Sequence, residues 1–151
     1  VNLSEGDLNG AIVLAESPDD EIAAVIQNYL SWMDKVSAEE IVKAGEIRGK
    51  LVKENFEKFI FEIRIMQCFF RDTLILLTNP DSNLVKLVDH KKLMLQFNAK
   101  YPNANINRML ETLENYVDSA GKNLYITPLF IHLILYMKEM AALNIGDKIE
   151  V

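Results

Sequence analysis

KLVKENFEKFIFEIRIMQCFFRDTLILL, residues Lys50–Leu77, is the stretch whose reading decides the fold. It contains neither Pro nor Gly. Val52, Phe56, Phe59, Ile63, Met66, Phe70, Leu74 and Leu77 recur at three- and four-residue steps, the spacing of one face of an α-helix. The pattern predicts one continuous central helix, about 40 Å long at 1.5 Å per residue. In its first half Asn55, Lys58 and Glu62 flank the apolar stripe, which leaves one narrow face to bury. In the second half Ile65, Phe69 and Leu76 take that flank, and the apolar arc widens to about half the circumference. Lys50–Glu54, Lys53–Glu57, Glu54–Lys58 and Lys58–Glu62 are opposite charges at four-residue spacing, worth a few tenths of a kcal/mol each on an exposed face.

Helices are expected on both sides of this stretch. Upstream, Ser4-Glu5-Gly6-Asp7 has capping-box spacing before Leu8, Ile12 and Ala15. Ser17-Pro18-Asp19-Asp20-Glu21 marks a second start, with a cap, a Pro suited to the first turn and three acids for the positive end of the helix dipole. Its stripe is Ile22, Val25, Ile26, Tyr29, Leu30 and Met33. A third helix starts after Ser37, and Gly45 and Gly49 predict a break before the long one. Downstream, Asn79-Pro80-Asp81 ends the long helix. One or two short helices are expected through Leu84–Leu87 and Lys91–Phe97. Asn103–Asn107 offers caps for a helix carrying Ile106, Met109, Leu110, Leu113, Tyr116 and Val117, stopped at Ala120-Gly121-Lys122-Asn123. Thr127-Pro128 opens the last helix, Leu129–Leu143, and Asn144–Val151 reads as a frayed tail. No run alternates with period two, so the expected class is all-α: a helical bundle or array of six to eight helices.

The chain has 151 residues, half of them hydrophobic, enough to bury a core. It begins with Val1 rather than Met, as a piece of a longer protein would. A net charge of −6 argues against a direct grip on nucleic acid by this part of the chain, since phosphates need clustered cations. Lys86, His90, Lys91 and Lys92 come nearest to such a cluster, and Asp81 and Asp89 dilute it. The single cysteine, Cys68, excludes an internal disulfide and suits a reducing cytoplasm. Pro128–Leu143, the most apolar segment, is too short to span a bilayer and carries His132, Lys138 and Glu139, so no membrane partner is expected.

Catalytic, cofactor and metal signatures are missing: there is no phosphate-binding glycine loop, no metal-spaced Cys or His pair and no nucleophile elbow. Cys68 lies in a hydrophobic run, where a cysteine behaves as a small hydrophobe, with only Arg71 near enough to activate it. His132 lies in an otherwise apolar helix and is far more readily a core or interface histidine than a metal ligand. What remains is surface for partners. The last helix is apolar nearly all round, from Leu129 to Met140, and Phe61 projects from the polar side of the long helix. Such surfaces belong to a core or to a protein–protein contact.

The order of these features resembles a known family. Phe69–Leu77 (FFRDTLILL), then Asn79-Pro80-Asp81, then a cap-rich helix, then Lys122–Leu135 (KNLYITPLFIHLIL) is similar to the C-terminal region of bacterial DNA polymerase III delta-prime subunits. In that family a helix with an Arg-Asp-x-Leu run precedes a loop, and the terminal helix follows an Asn-rich turn. Asn123-Leu124-Tyr125-Ile126 departs from the usual form of that turn. Leu3–Glu16 (LSEGDLNGAIVLAE) looks like the end of the small lid subdomain of clamp-loader ATPase modules. The resemblance implies that residues 1–16 close an upstream lid and that residues 17–151 form a helical collar domain. Such a domain holds the loader ring together during sliding-clamp loading in DNA replication. It implies a non-catalytic, cofactor-free, cytoplasmic domain whose partners are the delta and gamma/tau subunits. Arg71 and Asp72 are the positions carried over, in a structural or interfacial role. With the exposed apolar positions they make Phe61, Arg71, Asp72, Leu129 and Tyr136 the candidate interface residues. The alternatives are a free-standing scaffold or regulatory protein that dimerises through the last helix, and an enzyme fragment using Cys68 or His132.

Overall fold

A computed structural model describes residues 19–34, 37–122 and 125–142. They form six α-helices, α1 (Asp19–Asp34), α2 (Ala38–Glu54), α3 (Phe56–Thr78), α4 (Lys91–Lys100), α5 (Ile106–Gly121) and α6 (Ile126–Ala141), with a 3-10 turn at Val88–His90 ahead of α4. No strand occurs among the described residues. The all-α expectation holds. The helix expected at Ser4–Glu16, the cap at Ser17-Pro18, the lid boundary and the C-terminal tail lie outside the described residues.

Lys50–Leu77 is not one helix. Asn55, with φ −154° and ψ 78°, ends α2 through its backbone N–H on Leu51 and starts α3 by accepting the Lys58 N–H on its side chain at 3.1 Å. Asparagine is among the best N-caps, and here that local preference interrupts an otherwise unbroken apolar period. α3 is still the longest helix, at 23 residues, and it packs against α1, α2, α4 and α5. Its widened second half is as expected: Ile65, Met66, Phe69, Phe70 and Leu76 are all buried. Phe56 and Leu77, the first and last stripe residues within α3, are exposed.

The glycines do not break α2. Gly45 and Gly49 lie one turn apart on the face that α2 turns to α6, where they let the two helices approach. A Cβ on Gly45 would meet the Thr127 carbonyl oxygen at 3.2 Å and the Phe130 ring at 3.3 Å, whereas one on Gly49 would find its nearest atom, Thr127 Oγ1, at 3.6 Å. Gly49→Ala is therefore expected to stabilise the protein by about 0.5–1 kcal/mol, since it regains helix propensity at no steric cost. Gly45→Leu is expected to cost about 1–3 kcal/mol by overpacking. Urea denaturation of the two variants checks both signs.

Ends and caps follow the sequence elsewhere. Ser37 caps α2 by accepting the Glu40 N–H at 3.2 Å, Asn79 ends α3, and Asn105 caps α5 by accepting the Arg108 N–H at 3.2 Å. Asn105 also donates its own N–H to the Met140 carbonyl at 3.0 Å, tying the start of α5 to the end of α6. Leu84–Leu87 is loop rather than helix, so of the one or two short helices expected there Lys91–Lys100 forms, preceded by the 3-10 turn.

Candidate functional site

Three places concentrate polar chemistry. The first lies inside the core. Arg48 of α2 donates through Nη2 to Glu62 Oε1 of α3, and both side chains are nearly inaccessible. Nη1 also reaches the Ala44 carbonyl at 3.3 Å. The guanidinium carbon stands 4.6 Å from the centre of the Trp32 ring and 5.7 Å from that of Phe130, a cation–π arrangement that helps to hold a desolvated charge. Tyr29 and Tyr116 complete the surroundings. Burial, and then the Glu62 charge, push both phenols above their ordinary range. Residues from α1, α2, α3, α5 and α6 thus meet at one ion pair. Glu62, expected on the exposed flank of a single long helix, is buried because the break at Asn55 brings α2 and α3 together. Burial raises its carboxyl against the pull of Arg48.

The second place is Asp72, at the end of the FFRD run. It is wholly buried rather than surface-exposed. Its Oδ2 accepts the backbone N–H groups of Lys86 and Leu87, each at 2.8 Å. One carboxylate of α3 therefore holds the loop between α3 and the 3-10 turn. Asn98 adds a second tie, donating from α4 to the Thr73 carbonyl at 3.0 Å. Cys68 lies one turn before Asp72, with Sγ 3.9 Å from Oδ2. Burial and then the Asp72 charge push its thiol up to about 12. At pH 8 such a thiol would be ionised to about one part in 10⁴, against about a quarter for an unperturbed cysteine. In the native protein Cys68 is expected to react with a disulfide reagent at least 100-fold more slowly than in 6 M urea. Equal rates would place the thiol in contact with solvent.

The third place is a groove of about 310 Å³ between α5 and α6. Tyr116, Leu129 and Leu133 line it together with the polar side chains of Arg108, Glu111, Asn115 and His132. Tyr136 closes one end, accepting from Arg108 Nε at 3.1 Å, and its ring stacks toward His132 with centroids 6.3 Å apart. His132 is exposed at this groove rather than held in the core.

The candidate interface residues separate accordingly. Leu129 and Tyr136 share the α5–α6 groove. Arg71 is half-buried beside Asp72 on α3, and Phe61, expected to project from α3, lies half-buried against the core. Asp72 is wholly buried and so lies on no surface. The last helix is not covered all round: Leu133, Ile134 and Met137 face inward while Leu135 is 53% exposed. Nothing in the periodicity marks Arg48 and Glu62 as partners, although a buried charge in an apolar helix is the signal a pairing would leave. Among the described residues no group of acidic, His or Cys side chains is arranged to hold a metal ion, and no helix is long and apolar enough to cross a membrane. Comparisons with protein-family models, curated proteins and solved structures found no match.

Proposed function

We propose that this chain is the C-terminal helical collar domain of a clamp-loader subunit of the delta-prime kind, serving to hold neighbouring subunits together while a sliding clamp is loaded onto DNA. The reading rests on the resemblance carried by FFRDTLILL and KNLYITPLFIHLIL. Its main physical support is Asp72. The residue at the family's Arg-Asp position is wholly buried and spends its carboxylate on two backbone N–H groups of the following loop. That is the behaviour of a structural residue, as the resemblance implies, and it leaves that carboxylate no exposed face on which to act on a substrate. In this reading the domain is non-catalytic, works in the cytoplasm, and has the collar domains of delta and gamma/tau subunits as its partners.

Co-purification tests it. The full chain, mixed at micromolar concentration with the C-terminal helical domains of delta and gamma/tau from the same source, is expected to elute with them as a stoichiometric complex without ATP. Separate elution overturns the reading. A second reading, self-association through α6, draws on Leu135 and on Tyr125, which is 87% exposed. Sedimentation of the chain alone distinguishes it.

A further inference from the structure

The Arg48–Glu62 pair leaves more polar chemistry in the core than it uses. Glu62 spends Oε1 on Arg48, and its Oε2 is buried with no protein hydrogen-bond partner. Arg48 spends Nη2 on Glu62 and Nη1 on the Ala44 carbonyl, and its Nε is buried and unspent. The Tyr116 hydroxyl is likewise buried without a partner. The Tyr29 hydroxyl stands close to Arg48 but makes no well-formed hydrogen bond with it. These are four of the seven buried polar side-chain atoms left unpaired among the described residues, and they gather in one place. The Phe130 ring is their common neighbour. Its centre is 5.7 Å from the Arg48 guanidinium carbon, 6.3 Å from the centre of the Tyr29 ring and 6.5 Å from that of Tyr116. Both phenols also feel the Glu62 charge. Buried polar groups in folded proteins are almost always paired, by protein or by ordered water, so four together mark a ligand site rather than four separate lapses.

The donors and acceptors decide the ligand. Two O–H groups and one N–H have a hydrogen to give, and Glu62 Oε2 can only accept. A metal ion would find one carboxylate beside a guanidinium, too little negative charge to hold it. An anion would meet the Glu62 charge. Water is neutral, donates and accepts at once, and is small enough for a site walled by Trp32, Phe59 and Phe130. We propose that a single structural water molecule is held in this core site, donating to Glu62 Oε2 and accepting from the Tyr116 hydroxyl, with Tyr29 Oη and Arg48 Nε completing its polar surroundings. The water joins α5, and through Tyr29 also α1, to an ion pair that α2 and α3 make between themselves. Being enclosed, it completes the hydrogen bonds of the pair without opening it to bulk solvent.

A crystal structure of the full chain, at a resolution that shows ordered water, tests the site directly. One density peak is expected within about 2.7–3.2 Å of both Glu62 Oε2 and Tyr116 Oη. A missing peak overturns the proposal, and so does a Tyr116 hydroxyl that donates straight to Glu62. A file of waters leading from the pair to the surface overturns it as well, because the site is then an inlet of solvent. Magnetic relaxation dispersion of water oxygen gives the readout in solution. Wild type should hold one long-lived internal water whose residence time shortens about tenfold in Tyr116→Phe, which keeps the ring packing and removes one partner. Tyr101→Phe, altering a ring that packs on Phe97 of α4, should leave that residence time unchanged. Wild type without a long-lived water, or equal residence times in wild type and Tyr116→Phe, overturns the proposal.

Discussion

Replacing Glu62 by Leu lowers the unfolding free energy by about 3–5 kcal/mol, the cost of leaving a buried guanidinium without its counter-ion. With a urea m-value of about 2 kcal/mol per M, the midpoint falls by about 2 M. Two features place Glu62→Leu at this upper end. Arg48 cannot shed its proton to escape, because guanidinium stays charged at any pH a protein tolerates. It also has little access to solvent, its side chain being 10% exposed and packed against Trp32, Phe130 and Glu62. Arg48→Met together with Glu62→Leu removes both charges, keeps most of the volume, and sets a thioether against the Trp32 and Phe130 rings. The double variant is expected to recover most of the loss, and it can exceed wild type. With the Arg48→Met single variant measured alongside, the cycle isolates the coupling between the two side chains. A Glu62→Leu variant that costs under about 1 kcal/mol would show that bulk water reaches the pair.

Asp72→Ala is the second large effect, about 2–4 kcal/mol, because two backbone N–H groups lose their charged acceptor in a site closed to water. Relief of the carboxylate's own desolvation offsets part of this. Hydrogen exchange supplies a readout that a uniform loss of stability would not imitate. The Lys86 and Leu87 amides should lose protection more than the helical amides of α3 around them. Asp72→Asn keeps an acceptor oxygen and should fall between Ala and wild type.

The pH dependence separates the two replacements further. Burial holds the Asp72 carboxyl above its ordinary value of 3.8, against the lowering by the Leu87 and Lys86 N–H groups and by the Arg71 and Lys86 charges. The native protein therefore keeps that proton to higher pH than the unfolded chain does. The stability this group contributes is full below pH 3.8 and is lost as pH rises through the raised native value. Asparagine does not titrate. The advantage of wild type over Asp72→Asn should thus shrink from acid toward neutral pH. A growing advantage would mean that the two N–H donors outweigh burial.

Leu84 shows how far sequence reading reaches outside the helices. The sequence predicts a short helix through Leu84–Leu87, yet the segment is a loop with alternate residues buried. The cause is one carboxylate fourteen and fifteen residues earlier, on another element. Asp72 stood out in the sequence by its position in FFRD, but its partner did not, because backbone N–H groups carry no sequence label. Leu129 and Tyr136 stand out in the sequence as interface candidates on an apolar helix, and the structure leaves both half-buried. That they meet Arg108 and Glu111 across a groove depends on how α5 lies on α6.

The sequence by itself determined where most helices run and how they are capped. Ser37 with Glu40, Asn79 before Pro80 and Asn105 with Arg108 all act within four residues, so composition and spacing decide them locally. Tertiary structure alone decided which charged side chains those helices bury. Arg48 and Glu62 are fourteen residues apart, about 21 Å along a straight helix, too far for a hydrogen bond. They touch because Asn55 ends one helix and starts the next, and because Gly45 and Gly49 let α2 settle against α6. A helix forms from its own hydrogen bonds, but a buried charge survives only where distant elements bring it a partner.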